Sequence, residues 1–397
     1  MNITAEENDS FNAVLVEKDG KWLHVIKVAE GRTEVLKSFQ VLTGRVNGDK
    51  QIRGDEKTPE GLYFVTGFLS PEKLNEMYGD ISKQYGTGAF PLSYPNLKDK
   101  LAGKTGGGIW LHGVDPERAE TVTKGCVAFE NDKLTMLRDY ITVGTPVVIT
   151  SREGMKGSVD DIREHFLSMK GMVNEYLTAW EENDFDAFKS FYHANFKSVG
   201  GRNFGSYLAY KKNLMEIFPY RKVFAENFRF FNQSADEAVA EFDQYYCAAN
   251  VYSYGRKKFY LEREIDSLKV VAEEFRPMDG SGFIREKVND FLLGWKSAWE
   301  SRNIEDYISY YSDKFITRNM DKAGWKSDKS AKFEKLNEVH VGIENITFKA
   351  YSPVSYSIEF KQSYQGDSYK DTGVKTLRIT GCPGDFKITS ENWRAVQ

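Results

Sequence analysis

His112 and Cys126 are the two residues of this sequence whose types and spacing best fit covalent chemistry. They lie fourteen positions apart in IWLHGVDPERAETVTKGCVAFEN (residues 109–131), in a chain with only five histidines and three cysteines. A free thiol titrates near about 8.5, so a neighbouring imidazole that takes its proton greatly enlarges the reactive thiolate fraction. Gly125 ahead of the cysteine lets the backbone turn sharply and approach a bound carbonyl, and the amides of Gly125 and Cys126 would face the developing oxyanion. Ile109, Trp110 and Leu111 read as a buried strand that delivers His112 to its end, where Gly113 turns the chain. Against this stands the plainer reading, in which an isolated cysteine is a small core residue. Cys247 in YYCAAN and Cys382 in TGCPGD have no Gly-flanked histidine nearby and read as structural. Three cysteines allow at most one disulfide and leave at least one thiol free. His24, His165, His193 and His340 all have ordinary packing or polar explanations.

The elements that must hold this pair are short strands. FNAVLVEKDGKWLHVIKV reads as a hairpin around Asp19-Gly20, and VLKSFQVLTG, GLYFVTGFL, GGGIWLHG and GTPVVIT add apolar runs punctuated by turn residues. Residues 1–155 therefore read as a mainly β domain. SREGMKGSVDD, small, polar and charged, follows as a linker. Beyond it the chain repeats. MVNEYLTAWEENDFDAFKSFYHANF aligns with FLLGWKSAWESRNIEDYISYYSDKF, matching Trp180 with Trp299, Phe188 with Tyr307, Tyr192 with Tyr311 and Phe196 with Phe315. EEFR (273–276) matches ENWR (391–394) near the end of each copy. Two tandem α+β domains over 160–278 and 283–397 follow, each with helices first and long alternating strands after.

Composition narrows the partners. The chain is 397 residues long, 41% hydrophobic and 28% charged, with a formal charge of −4. That charge gives no electrostatic reason to expect nucleic acid. No apolar run approaches the roughly 20 residues of a membrane span, and MNITAEENDSFNAVLVEKDG lacks a signal-peptide pattern. No His/Cys pair has zinc-ligand spacing, and neither a metal nor an organic cofactor is called for. GKT at 103–105 lacks the earlier glycine of a phosphate loop, that position being Lys98. Glu6-Glu7 and the run DKLTMLRD read as solvated surface.

HGVDPERAETVTKGCVAFEN resembles the signature of the YkuD-type L,D-transpeptidase family: His-Gly, a spacer of about a dozen residues, then Ser/Thr-x-Gly-Cys, here Thr123-Lys124-Gly125-Cys126. KTPEGLYFV is similar to the family's Thr-Pro-x-Gly turn (Thr58, Pro59, Gly61), and FPLSYPN and GKTGGGIWLHG to the segments leading into the histidine. The resemblance covers roughly residues 11–150. It implies Cys126 as nucleophile, His112 as its base, and the Gly113 carbonyl as the group that orients the imidazole. Thr123, Lys124, Gly125 and Trp110 become candidates for substrate or oxyanion contacts; for Trp110 a core ring and for Lys124 a solvated charge are the competing readings. Many members carry Arg two residues after the cysteine, where this chain has Ala128, which points to the YafK-like branch. The two later domains resemble the cone-shaped SnoaL/ketosteroid-isomerase superfamily. A YkuD-type domain before such a cone resembles the cell-shape-determining L,D-carboxypeptidases of helical bacteria.

The implied substrate is the peptidoglycan stem peptide, cut between meso-diaminopimelate and D-Ala through a Cys126 thioester, with water (carboxypeptidase) or an amine (transpeptidase) as acceptor. The implied location is periplasm or cell envelope, and the cones would position the wall or mediate a homodimer. A competing reading is a non-catalytic wall-binding scaffold acting through the cones. Another makes the cones enzymatic, with a pocket carboxylate facing an oxyanion donor, Asp243 with Tyr245 among the candidates.

Overall fold

The computed structural model describes residues 3–117, 121–151, 159–318 and 320–396, the side chains of 159–162 apart. Residues 152–158 of the expected linker and 118–120 of the His–Cys spacer lie outside the described residues. The chain forms two compact units, one of Met1–Asn213, Ala225–Asp243 and Arg256–Arg276, the other of Leu214–Phe224, Gln244–Gly255 and Pro277–Gln397.

In the first unit, β1 (Ile3–Ala5) precedes the expected hairpin of β2 (Phe11–Glu17) and β3 (Trp22–Ala29), whose register runs from Phe11↔Val28 to Glu17↔Trp22. With β4 (Arg32–Gln40), β5 (Gly61–Phe64) and, much later, β9 (Pro146–Thr150), they form a five-stranded sheet in the order β4-β3-β2-β9-β5. Residues along β2 alternate between two cores, as a strand with both faces covered must. Val14 and Val16 pack with Leu111, Val127 and Phe90. Ala13 and Leu15 pack with Phe231, Val239 and Tyr260 of the following domain. A second sheet of β6 (Ala89–Pro91), β7 (Trp110–His112) and β8 (Val127–Ala128) lies in the order β6-β7-β8. Helices α1 (Pro71–Tyr78), α2 (Leu97–Leu101) and α3 (Asn131–Leu137) fill the connections. The run DKLTMLRD is not solvated surface: it lies largely in α3, which buries Leu134 and Leu137 completely. Two leucines three apart place one apolar face on a single helical turn, which the surrounding charges obscure. Glu6 is likewise engaged, in an ion pair of 2.5 Å with Lys170.

The first repeat is α4 (Val159–Glu181), α5 (Phe185–Ser190), β10 (Tyr192–Ser198), α6 (Phe204–Ile217) and strands β11 (Arg221–Asn232), β12 (Glu237–Ala248), β13 (Val251–Glu264) and β14 (Ser267–Pro277). Its sheet has six strands, because β1 adds antiparallel to β11 with Ile3 opposite Phe231. The second repeat is α7 (Ser281–Ser301), α8 (Ile304–Ser309), the short β15 (Ile316–Thr317) and β16 (Met320–Asp321), α9 (Lys322–Phe333) and a four-stranded meander of β17 (Val339–Ser352), β18 (Ser355–Gly366), β19 (Lys370–Thr380) and β20 (Lys387–Ala395). Helix α7 buries Val288, Leu292, Trp295 and Trp299, one stripe at helical spacing. The equivalent short helices start on equivalent caps: Asp184 accepts from the Ala187 N–H, and Asn303 from those of Glu305 and Asp306. Cys247 and Cys382 form a disulfide within the second unit, with Cα atoms 5.8 Å apart. Among the described residues no helix is long and apolar enough to cross a membrane.

Candidate active site

Parallel pairing of β7 with β8 brings the two halves of the His–Cys stretch together, Leu111 opposite Val127 and His112 opposite Ala128. Cys126 therefore stands one residue ahead of β8, next to the start of β7. Side chains two apart on a strand share a face, so Trp110, His112 and Cys126 lie on the same side of this small sheet. Cys126 is half-buried and is the free cysteine of the chain. Its Sγ donates to the Gly108 carbonyl at 3.4 Å.

His112 is buried, and its Nδ1 lies 2.5 Å from the Gly113 carbonyl. A carbonyl can only accept, so Nδ1 carries the proton and Nε2 is left as the basic nitrogen. The Tyr85 ring meets the imidazole edge-on, with centroids 5.1 Å apart at 86°. Burial pushes the His112 imidazole down to about 4, partly countered by the bond to Gly113. It also pushes the Cys126 thiol up to about 11, against the Trp110 backbone N–H and the charge of Lys50, which favour the thiolate. Both shifts favour the neutral thiol and the neutral imidazole.

The turn before Cys126 is clamped by one hydroxyl. Thr123 Oγ1 donates to the Cys126 carbonyl at 2.7 Å and accepts from the Gly125 N–H at 3.1 Å. Its backbone exchanges hydrogen bonds with Thr43 and Arg45. Thr58 of the upstream motif is fully buried and accepts from the Gly44 N–H at 2.8 Å, so the Thr-Pro turn braces the segment that braces Thr123. Gly125 has φ +126°, and a Cβ there would meet the Lys57 carbonyl at 2.8 Å, so both conformation and space require glycine. Of the two expected oxyanion donors, the Gly125 amide is already engaged with Thr123.

Trp110 is 9% exposed and packs on Tyr85 and Leu74, a core ring beside the thiol. Lys124 is exposed. Ala128 is fully buried, hydrogen-bonded to Leu42 through both backbone groups, and supplies only a methyl. Three neighbours carry no sequence signal. Tyr85 ends a 3-10 helix, Gly79–Tyr85, and Lys50 sits in a charged loop that reads as solvated, although its Nζ is buried against Asp55 at 2.7 Å. Asn131 looks like an ordinary first residue of a helix. Its Oδ1 accepts from the Thr87 N–H at 3.1 Å and its Nδ2 donates to the Val114 carbonyl at 3.0 Å, stapling the loop that follows Gly113. Asp243 of the cone is committed to an ion pair, 2.6 Å from Arg256, and accepts from Asn227. Among the described residues no group of three or more His, Cys, Asp or Glu side chains is arranged to hold a metal ion.

Comparison with known proteins agrees with this architecture. Residues 13–149 match the L,D-transpeptidase catalytic domain family, and residues 168–274 and 287–392 each match the Cds6 C-terminal NTF2-like domain. Among solved structures, Bd1075 of Bdellovibrio bacteriovorus is 29% identical, with a TM-score of 0.60, covering 70% of this chain and 96% of its own. The helical cell shape determining protein Pgp2 of Campylobacter jejuni is 27% identical, with a TM-score of 0.58, covering 68% of this chain and 94% of its own. No curated protein sequence matches. The chain thus carries a YkuD-type L,D-transpeptidase catalytic domain followed by two cones that together span more than half of it and belong to the Cds6 C-terminal NTF2-like domain family.

Proposed function

We propose that this protein is a peptidoglycan-modifying cysteine acyl-transfer enzyme that opens the bond between meso-diaminopimelate and D-Ala in tetrapeptide stems. The observation that carries the reading is the His112 Nδ1–Gly113 bond, which fixes the tautomer whose Nε2 can act as base, on a strand paired with the one that Cys126 precedes. His112 takes the thiol proton as Sγ attacks the diaminopimelate carbonyl. The C–N bond to D-Ala breaks, the same proton goes to the leaving amine, and a Cys126 thioester forms. Water then releases a tripeptide, or the amine of a second stem forms a cross-link. The Cys126 N–H is the candidate oxyanion donor, with Gly125 joining it only if it leaves Thr123.

The peptidoglycan substrate places the protein in the periplasm or cell envelope. The Cys247–Cys382 disulfide suits such an oxidising compartment. Mass spectrometry of muropeptides tests the reading, with Cys126→Ala as control. Tetrapeptides converted to tripeptides, or new direct cross-links, by the native protein alone are the expected result. Unchanged stems from a folded native protein would overturn it and leave the cones, as a wall-binding scaffold, to carry the function.

A further inference from the structure

A groove of about 690 Å³ lies in the catalytic domain, between the turn that joins β2 to β3, the end of β4 and the segment running from β8 into α3. Its wall carries Trp22, which at 37% is the most exposed of the seven tryptophans. The β3–β4 register sets Trp22 opposite Gln40 and His24 opposite Ser38, so these four side chains share one face of the sheet. His24 lies near-parallel to the indole, with ring centroids 6.3 Å apart at 20°, and its Nδ1 is bonded to Ser38 Oγ at 2.7 Å. Gly20 leaves room for the indole, since a Cβ there would stand 3.2 Å from Trp22 Cδ1. The ring is therefore set in place before any ligand arrives. The Trp22 N–H and the Gln40 side-chain amide have no partner among the described residues. The charges that line the groove balance, Lys21 and Lys133 against Asp19 and Glu130.

An exposed indole with polar groups at its rim and no net charge around it suits a sugar. A pyranose ring presents C–H bonds on its faces and hydroxyls at its edges, so it stacks on an aromatic face and bonds sideways. A side-chain amide both donates and accepts, as does the acetamide of an N-acetylhexosamine. A strongly charged ligand would find no surplus of opposite charge. Position favours the same occupant. The groove begins at Ala128, two strand positions or about 7 Å beyond Cys126. It continues through Leu42, which pairs with Ala128, to Gln40 and its cross-strand partner Trp22. Diaminopimelate is the third residue of a tetrapeptide stem, so the glycan hangs about 10 Å or more from the attacked carbonyl of an extended stem. We propose that this groove holds the glycan strand that carries the stem, with one N-acetylhexosamine ring laid on Trp22 and its acetamide bonded to Gln40. The proposal rests on the peptidoglycan reading of the substrate and adds the part of it that the catalytic domain grips away from Cys126.

The probe is tetra-N-acetylchitotetraose, a β-linked N-acetylglucosamine oligomer with no stem peptide, titrated calorimetrically into the full chain. Cellotetraose, which has the same linkage and no acetamide, is the control. The probe has no bond for Cys126 to attack, so a failure here and a failure of the muropeptide assay are separate results. The native protein should bind the acetylated oligomer saturably, with a Kd of about 1 mM or tighter, and cellotetraose at least about 5-fold more weakly. Trp22→Ala should cost about 10-fold or more in affinity, and Gln40→Ala about 3- to 10-fold. Both side chains are exposed, so both variants should melt as the native protein does. No saturation up to about 10 mM, equal binding of the two oligomers, or unchanged binding by a folded Trp22→Ala protein would each overturn the proposal.

Discussion

Thr123→Val is the substitution that most directly tests how Cys126 is held. Valine keeps the shape of threonine and removes only the hydroxyl. The backbone bonds of Thr123 to Thr43 and Arg45 remain, so the segment keeps its place. Two bonds go: the one to the Cys126 carbonyl at 2.7 Å and the one from the Gly125 amide at 3.1 Å. Each buried partner left unsatisfied costs about 1–3 kcal/mol, so the turn loses about 2–4 kcal/mol once some rearrangement is allowed. If about half of that loss reaches the transition state, kcat/KM falls roughly 5- to 30-fold. Thr123→Ser restores the hydroxyl and should return the rate to within about fivefold of the native protein. The assay is D-Ala release from a tetrapeptide stem, paired with a thermal melt and with the rate of Cys126 alkylation. A Thr123→Val protein that melts normally and keeps full kcat/KM would refute the clamp.

Gly113→Ala should abolish activity, because its Cβ would fall 2.1 Å from Asn131 Oδ1 and 3.1 Å from the Thr87 nitrogen; retained D-Ala release would contradict that packing. Native protein should take up one equivalent of an alkylating reagent, at Cys126, and three after denaturation and reduction. Replacing Cys247 and Cys382 by alanine should destabilise the fold by about 2–5 kcal/mol, given the 135-residue separation they close, and lower the melting temperature. Acid should act through the buried carboxylates of the cones. Burial by itself would raise the Glu273 and Glu391 carboxyls, but Lys257 and Lys211 beside the first, and Lys375 and Lys329 beside the second, hold both below the ordinary 4.5. A depressed carboxyl stabilises fully above its unfolded value, and that contribution is lost as pH falls through the folded value. Melts at pH 7 and pH 3 should therefore differ more in the native protein than in Glu391→Gln.

Much of this was readable in the chain because the informative residues carry local constraints. Gly125 and Gly113 mark positions where a side chain has no room, so the His-Gly and Gly-Cys pairs survive as a spaced motif. The duplicated cones were visible because their aromatic stripes and EEFR/ENWR strands recur in register. What could not be read depends on contacts between distant segments. Lys50 looks solvated until Asp55 and the surrounding loop close over it. Tyr85 and Asn131 serve the histidine from elements that have no periodic reason to lie there. The disulfide joins two cysteines that each read as structural, and their pairing is a property of the folded sheets. The buried pairs Lys257–Glu273 at 2.8 Å and Lys375–Glu391 at 2.7 Å are equivalent across the repeat, yet a lysine in an alternating strand gives no hint of a dry partner.

Strand β1 has a consequence for how the chain is made. Ile3–Ala5 complete the sheet of the first cone by pairing with β11, whose residues emerge from the ribosome more than 200 positions later. β1 must wait, unpaired, for a segment made much later, while β2 and β3 can close at once. Severing the chain after the catalytic domain would leave β11 as an open edge, a surface prone to recruit strands from other molecules. The enzyme and its first cone are therefore stitched into one heritable unit, and a recombination event that moved either alone would inherit a broken sheet.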